Sequence, residues 1–501
     1  MADRVLTRAG RTRTLQKWSA LVLRAGACGG CTGNPGGHDM PIRKSIVGAI
    51  AILGLAGCAS ELPQGDVTTR DVTSRQVVLP AELPPMKAFA SSRIEAPTRP
   101  NGQIASDFLD LAFQLESGRA LPVMSRFEGP VTIAVTGPAP AALGPDLDRL
   151  LSRLRIEAGI DIRRSEAGPA SITLEVVTKQ ALQRAVPGAA CFVAPNVSSW
   201  AEYKAARRTA QTDWTRLRER TRMAVFIPGD VSPQEMRDCL HEEVAQALGP
   251  VNDLYRLSDS VFNDDNFHTV LTGFDMLVLR AYYAPELRSG MTRTGVAARL
   301  PAILSRLNPA GGYGVPQPVA PTPAGWKNAI ETALGGRGST AARREAATRA
   351  VQIARSQGWQ DTRLAFSLFA LGRLSLGVNS DIALASFREA ETIYRTTPGT
   401  ALQAAHMGVQ LAAHALSLGN AETAIRIADS HLATVSRAQN AVLLSTLMMI
   451  KAEALDHLGR GHEAQLVRLD SLGWARYGFG SEAEVGVRLT EIAAIAPGGR
   501  I

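Results

Sequence analysis

Three short stretches recur in the last third of the chain, and they restrict its architecture more than any other feature. Leu374-Ser375-Leu376-Gly377 precedes Ala383, Leu416-Ser417-Leu418-Gly419 precedes Ala424, and His457-Leu458-Gly459 precedes Ala464. The alanines are 41 and 40 residues apart. A glycine turn between two helices, with a small residue where the second helix packs on the first, is a unit that cannot bury its apolar face alone. Stacked copies can. Residues 326–501 are therefore expected to form an all-α helical-repeat domain, an α-solenoid; the alternative is a plain helical bundle covering the rest of the chain. A Pro/Gly-rich linker at residues 308–325 separates this part from what precedes it.

Residues 101–307 mix the two hydrophobic periods. Ile104 to Gln114 and Leu147 to Ile156 carry helical spacing, whereas Val131–Val135, Ile160–Ile162, Ile172–Val177, Cys191–Ala194 and Met223–Ile227 read as short strands. Ser232, Pro233 and Glu235 make an N-cap, a first-turn proline and a capping partner, so a helix is predicted from Pro233 to Leu248, stopped by Gly249-Pro250. This part is expected to be α+β.

The N-terminal part bears on location. Met40 is followed by Arg43 and Lys44, an apolar run from Ile46 to Leu55, and Leu55-Ala56-Gly57-Cys58. The run is too short to span a bilayer as a helix. The pattern resembles a bacterial lipoprotein signal at residues 40–57, which implies lipidation at Cys58, with Ala59 favouring the periplasmic face of the outer membrane. Residues 1–39 then read as a mis-annotated N-terminal extension, with Met40 favoured over Met1 as the start. Residues 58–100, with Pro63, Pro80, Pro84 and Pro85, read as a Pro-rich tether. Residues 1–57 hold eight Lys/Arg against two Asp/Glu, and the remainder holds 46 against 44. The +8 net charge therefore belongs mostly to the removed segment and gives no case for nucleic-acid binding. In an oxidising compartment Cys191 and Cys239 are expected to form a disulfide; the alternative is two separately buried thiols.

Two further resemblances concern the body of the chain. Leu371-Gly372, Ala383, Phe387 and Ala390 resemble a tetratricopeptide-type repeat, which implies protein partners. In the predicted helix, Glu242-Glu243-Val244-Ala245-Gln246-Ala247-Leu248-Gly249-Pro250-Val251-Asn252 has the spacing of the metzincin signature. Glu242, Gln246 and Asn252 stand where three zinc-binding histidines would be, Glu243 stands at the general base, and Gly273-Phe274-Asp275-Met276 lies where a Met-turn would fall. The domain thus resembles a degenerate metzincin-like (zincin) domain. Asp107-Phe108-Leu109, Arg126 to Val131, Cys191-Phe192-Val193, the Cys239-to-Gly249 segment, Asn252-Asp253 and Ser260-Val261-Phe262 also resemble an uncharacterised family of bacterial envelope lipoproteins, a domain of unknown function.

The fold expected is therefore an α+β zincin-like domain followed by an all-α helical-repeat domain. The first functional expectation is a non-catalytic cell-envelope lipoprotein that binds or scaffolds, anchored to the membrane by its lipid and reaching protein partners through its repeats. The alternative is a metal-dependent or carboxylate-based hydrolase, with His241, Glu242 and Glu243 as candidate catalytic groups. Candidate metal ligands are Glu242, Gln246, Asn252 and Asp253. With no cofactor as the first expectation, zinc and calcium are the alternatives; the oxygen donors extend to Asp259, Asp264 and Asp265 for calcium. The plainer readings are a packed His241 near Cys239, a buried Glu243–Gln246 polar pair and a core Met276. Six arginines around Trp214, from Arg207 to Arg222, read as a solvated helix face or a patch for an anionic partner.

Overall fold

The computed structural model describes residues 82–90, 95–97, 99–166, 169–316, 320–335 and 337–497. The signal at 40–57, Cys58 and most of the tether lie outside the described residues. Among those described, no helix is long and apolar enough to cross a membrane.

The first region is built on a five-stranded mixed sheet. Helix α1 (Asn101–Phe113) leads into β1 (Val131–Thr136), α2 (Leu143–Glu157), β2 (Ile162–Arg164) and β3 (Ile172–Val177). Then follow α3 (Lys179–Ala185), β4 (Phe192–Pro195), α4 (Trp200–Ala206), β5 (Met223–Pro228) and α5 (Pro233–Leu248). The strand order is β2-β1-β3-β5-β4, all parallel except β4, which runs antiparallel to β5. β5 sits between two neighbours and is buried along its whole length, as its unbroken apolar run Met223-Ala-Val-Phe-Ile-Pro228 requires. Alternation divides its side chains between the two faces. Val225 and Ile227 join Leu147, Leu151, Cys239 and Val244 of α2 and α5, while Phe226 packs with Phe192 and Tyr203 under α3 and α4. Helix α5 begins as predicted: Ser232 accepts from the Glu235 amide and Pro233 occupies the first turn. Cys191 and Cys239, both buried, come to disulfide distance with Cα atoms 5.9 Å apart, tying the start of β4 to α5.

No regular element links Leu248 to the next helix, α6 (Gly273–Tyr282). Helices α7 (Arg293–Ala297) and α8 (Leu300–Leu307) close the region. The expected Met-turn is absent. Gly273 to Met276 form the first turn of α6, capped reciprocally by Thr272 and Asp275, and Met276 is core.

The second region is entirely helical: α9 (Ala324–Leu334), α10 (Thr340–Ser356), α11 (Thr362–Ser375), α12 (Ser380–Thr396), α13 (Ala401–Ser417), α14 (Ala421–Arg437), α15 (Ala441–His457), α16 (Gly461–Phe479) and α17 (Glu482–Ala493). Each helix up to α16 packs mainly on its sequence neighbours, and α17 packs on both α15 and α16. The repeated glycines Gly377, Gly419 and Gly459 take left-handed φ values of 74°, 77° and 74° in the turns of three successive helix pairs. Ala383, Ala424 and Ala464 are buried at equivalent places on the second helices. Gly372 lies so close to Phe387 that a Cβ there would approach the ring to 2.8 Å.

The two regions share an interior. Phe267 enters the helical region, its ring centre 4.7 Å from His406 and 5.6 Å from Phe369. Tyr255 meets Trp326 edge-on at 4.9 Å. The Tyr477 hydroxyl donates to Asp146 at 2.9 Å, and the Gln403 side chain donates to the Ser258 carbonyl. Residues 82–90, within the stretch expected as tether, lie against the repeats. The Lys87 amide donates to the Gly473 carbonyl at 3.0 Å, and Phe89 stacks on Trp474 at 4.5 Å. The start of the expected linker is also seated, with Asn101 donating to the Asn308 carbonyl at 3.0 Å.

Candidate functional site

Helix α5 follows β5, the strand between central β3 and edge β4, and carries the motif into the interior. Its C-terminus is closed by a residue from the arginine cluster. Arg220 is 2% exposed, donates to the carbonyls of Gln246, Ala247 (2.7 Å) and Gly249, and lies 5.5 Å from the Trp214 ring centre. A cation on terminal helix carbonyls satisfies their lone pairs and the helix dipole together. The expectation of a solvated helix face is therefore corrected for Arg220. The segment around Trp214 is also not one helix but short 3₁₀ turns. Beyond Leu248, Gly249 ends the helix where a Cβ would approach the Tyr282 ring to 3.2 Å.

The motif residues divide between two sides of α5. His241 is buried, and its Nδ1 accepts from the Leu271 amide at 3.2 Å. Burial first, then the guanidinium groups of Arg153, Arg237 and Arg149, holds this imidazole well below its usual pKa. It therefore stays neutral, with one nitrogen committed to the backbone. Glu243 is 2% exposed and acts electrostatically on a different set of groups. Two residues along a helix are about 200° apart around its axis, which explains the division.

The second set is a cluster of carboxylates. Glu116 lies in the turn after α1, while Asp253 and Asp264 lie in the irregular segment after α5. One oxygen of each is within 4.8 Å of the other two. Glu242 and Glu243 of α5 add their charges to the same place. Asp253 is 3% exposed and its Oδ1 is buried without a hydrogen-bond partner; Glu116 Oε2 is buried in the same way, although Glu116 as a residue is half-buried. Burial first, then mutual repulsion, holds the carboxyl groups of Glu116 and Asp253 well above the usual range. Gln246 reaches this cluster, with its Nε2 3.5 Å from Asp253 Oδ2. Asn252 does not, because its amide donates to the Asp110 carbonyl at 2.9 Å.

The predicted ligand set is thus brought together in part. Glu242, Gln246 and Asp253 share one site, while His241 and Asn252 lie apart from it. Asp259 instead pairs with Arg99, and Asp265 bonds to Asn263 and to the Phe267 amide. Glu116 completes the cluster and was not foreseen. It comes from a turn more than a hundred residues upstream, where a lone Glu in Glu-Ser-Gly-Arg reads as solvated. A buried ion-pair chain supports the site from α1. Asp107, fully buried, accepts from Arg99 at 2.8 Å and from Arg256 at 2.9 Å, and Arg256 also reaches Asp110 at 2.8 Å.

The metzincin resemblance implies zinc, and these donors do not fit it. Zinc sites draw on imidazole and thiolate, with at most one or two carboxylates. Here the converging groups are carboxylates and one carboxamide, His241 is bonded to the backbone, and both nearby cysteines are paired with each other.

Fold and site together describe an α/β domain with a buried carboxylate cluster, joined through a shared core to helical repeats. Residues 101–302, which contain every member of that cluster, match the family described as Protein of unknown function (DUF2927). No curated protein and no solved structure matches the chain.

Proposed function

We propose that the chain is a lipid-anchored protein of the cell envelope, on the periplasmic face of the outer membrane, whose zincin-like domain binds rather than hydrolyses. The observation that carries this reading is the separation of His241 from Glu242 and Glu243. A hydrolase at this motif needs an imidazole, a carboxylate base and a polar third group facing one cleft; here the imidazole is bonded to the Leu271 amide and set among arginines, about 200° around α5 from Glu243. A mixed sheet whose last strand in sequence, β5, is followed by the motif helix supports the zincin-like scaffold. The Cys191–Cys239 pair supports an oxidising compartment. Tetratricopeptide-type repeats would reach partners through surface not already covered by Tyr255 and Phe267. A cleft of about 590 Å³ lined by Glu391, Arg395, Leu411, Arg426 and His431 is open for that role.

Two measurements test the reading. Purified protein is assayed on unfolded protein substrates with and without added zinc, beside Glu243→Gln. No hydrolysis is expected; hydrolysis that a chelator and Glu243→Gln both abolish would overturn the binding reading. Palmitate labelling and membrane fractionation, beside Cys58→Ser, test the anchor. Label retained in Cys58→Ser would remove it.

A further inference from the structure

We propose that Glu116, Asp253 and Asp264 bind a hard divalent cation of the calcium class, and that this ion fixes the segment docking the α/β region onto the helical repeats. The proposal goes beyond the binding reading and does not depend on whether the protein hydrolyses anything.

The distances suit such an ion. Calcium holds its oxygen ligands at about 2.3–2.6 Å, so two ligands of one ion lie at most about 5 Å apart. The three carboxylates offer oxygens within 4.8 Å of one another. Beyond the clustering, Asp253 Oδ1 and Glu116 Oε2 are sealed from solvent and take no hydrogen bond from any other residue; the two carboxyl groups bond to each other, through a shared proton that a cation would replace. A buried carboxylate oxygen left in that state costs free energy, and a cation supplies the missing partner. Calcium takes six to eight oxygens; Glu242 and Glu243 add their charges to the three primary groups, and the Gln246 carboxamide reaches Asp253. An all-oxygen set selects calcium over zinc. Glu242 and Asp264 are half-buried, which leaves a way in from solvent.

The ion would act on the chain between Leu248 and Gly273. A segment of that length without regular structure is uncommon inside a folded domain and needs something to hold it. Asp253 sits near its start and Asp264 about two-thirds of the way along it. Two residues after Asp253 comes Tyr255, packed on Trp326; three after Asp264 comes Phe267, inserted among Phe366, Phe369, Tyr394 and His406. One ion joining Asp253, Asp264 and Glu116 therefore fixes both aromatic anchors relative to α1 and α5.

The test uses the full chain, stripped by chelator and dialysed against calcium alone. One calcium per chain is expected, with a rise in unfolding temperature that zinc does not reproduce. Terbium should bind at the same place, emit on excitation of the neighbouring Tyr255, and be displaced by calcium. Asp253→Asn and Asp264→Asn should each abolish the calcium-dependent rise. Wild-type protein that binds no calcium at dialysis overturns the site, and this readout holds even where a variant fails to fold. Amide exchange across residues 251–272 tests the docking role; calcium should slow it about ten-fold. Bound calcium with unchanged exchange would overturn that role and leave the site. Neither result bears on the peptidase assay.

Discussion

Replacing Phe267 with alanine should cost more than almost any other change in the α/β region, although the residue sits in a polar stretch, Asn-Asp-Asp-Asn-Phe-His-Thr. Its side chain is fully buried, with ring centres at 4.7 Å (His406), 5.6 Å (Phe369), 5.8 Å (Phe366) and 6.0 Å (Tyr394). A phenylalanine of this kind removes on the order of 200 Å² from water, about 5 kcal/mol at 25 cal/mol/Å². Measured Phe→Ala losses in cores run to about 3–5 kcal/mol, because the remaining alanine keeps part of the burial and the cavity collapses only partly. We therefore expect a loss of about 3–5 kcal/mol in urea unfolding followed by tryptophan fluorescence, which Trp326 reports from the same interface. Phe267→Leu, which keeps most of the volume, should lose less than half as much. A Phe267→Ala loss below about 1 kcal/mol would refute the placement of this ring inside the helical region.

Three further outcomes follow from single contacts. Burial first, then His268 and Arg373, lowers the His406 pKa to about 3, below the unfolded value of about 6.5. The unfolded chain therefore takes the proton first. The stability carried by neutral His406 is complete above pH ~6.5, falls as pH drops toward ~3, and is lower by about 2 kcal/mol at pH ~5; His406→Leu should flatten that slope in a pH series of unfolding curves, and an unchanged slope would contradict it. Closing the loop of separation 48 between Cys191 and Cys239 should contribute about 4 kcal/mol through the unfolded chain, so the double Cys→Ser variant should unfold at markedly lower urea, and an equal midpoint would show the bond is not formed. Arg220→Met should cost about 2–4 kcal/mol by leaving the carbonyls of Gln246, Ala247 and Gly249 without their donor; a loss no greater than that of an exposed Arg208→Met control would count against the cap.

What could be read from sequence was what neighbouring residues decide. The N-cap at Ser232, the end of α5 at Gly249 and the glycine turns before Ala383, Ala424 and Ala464 depend on a few adjacent positions, and all stand in the structure. Pairings across the chain were beyond reach. The sheet order places β5 between β3 and β4, which no strand's own residues reveal. Arg220 counted as one of six arginines because only the fold shows that the α5 terminus lies above it. The metzincin spacing put Glu242 and Gln246 on one face of α5, since i and i+4 share a helix face. It did not place Asn252, because the turn after Gly249 sends the Asn252 amide to the Asp110 carbonyl and aims the next residue, Asp253, at the cluster.

That one-residue offset also changes the chemistry. Glu242 and Gln246 occupy the first two positions of a histidine pattern, and Asp253 with Glu116 fills the remaining space, so every donor is oxygen. Keeping several carboxyl groups together under α1 and α5 is unfavourable by repulsion and by burial alike. A helix that only needed packing would be more stable with apolar side chains at these places. The charged set is therefore better understood as directed at something positive than as the residue of a lost site. The same segment carries Tyr255 and Phe267 into the repeats, so whatever neutralises Asp253 and Asp264 also governs how firmly the two regions are joined.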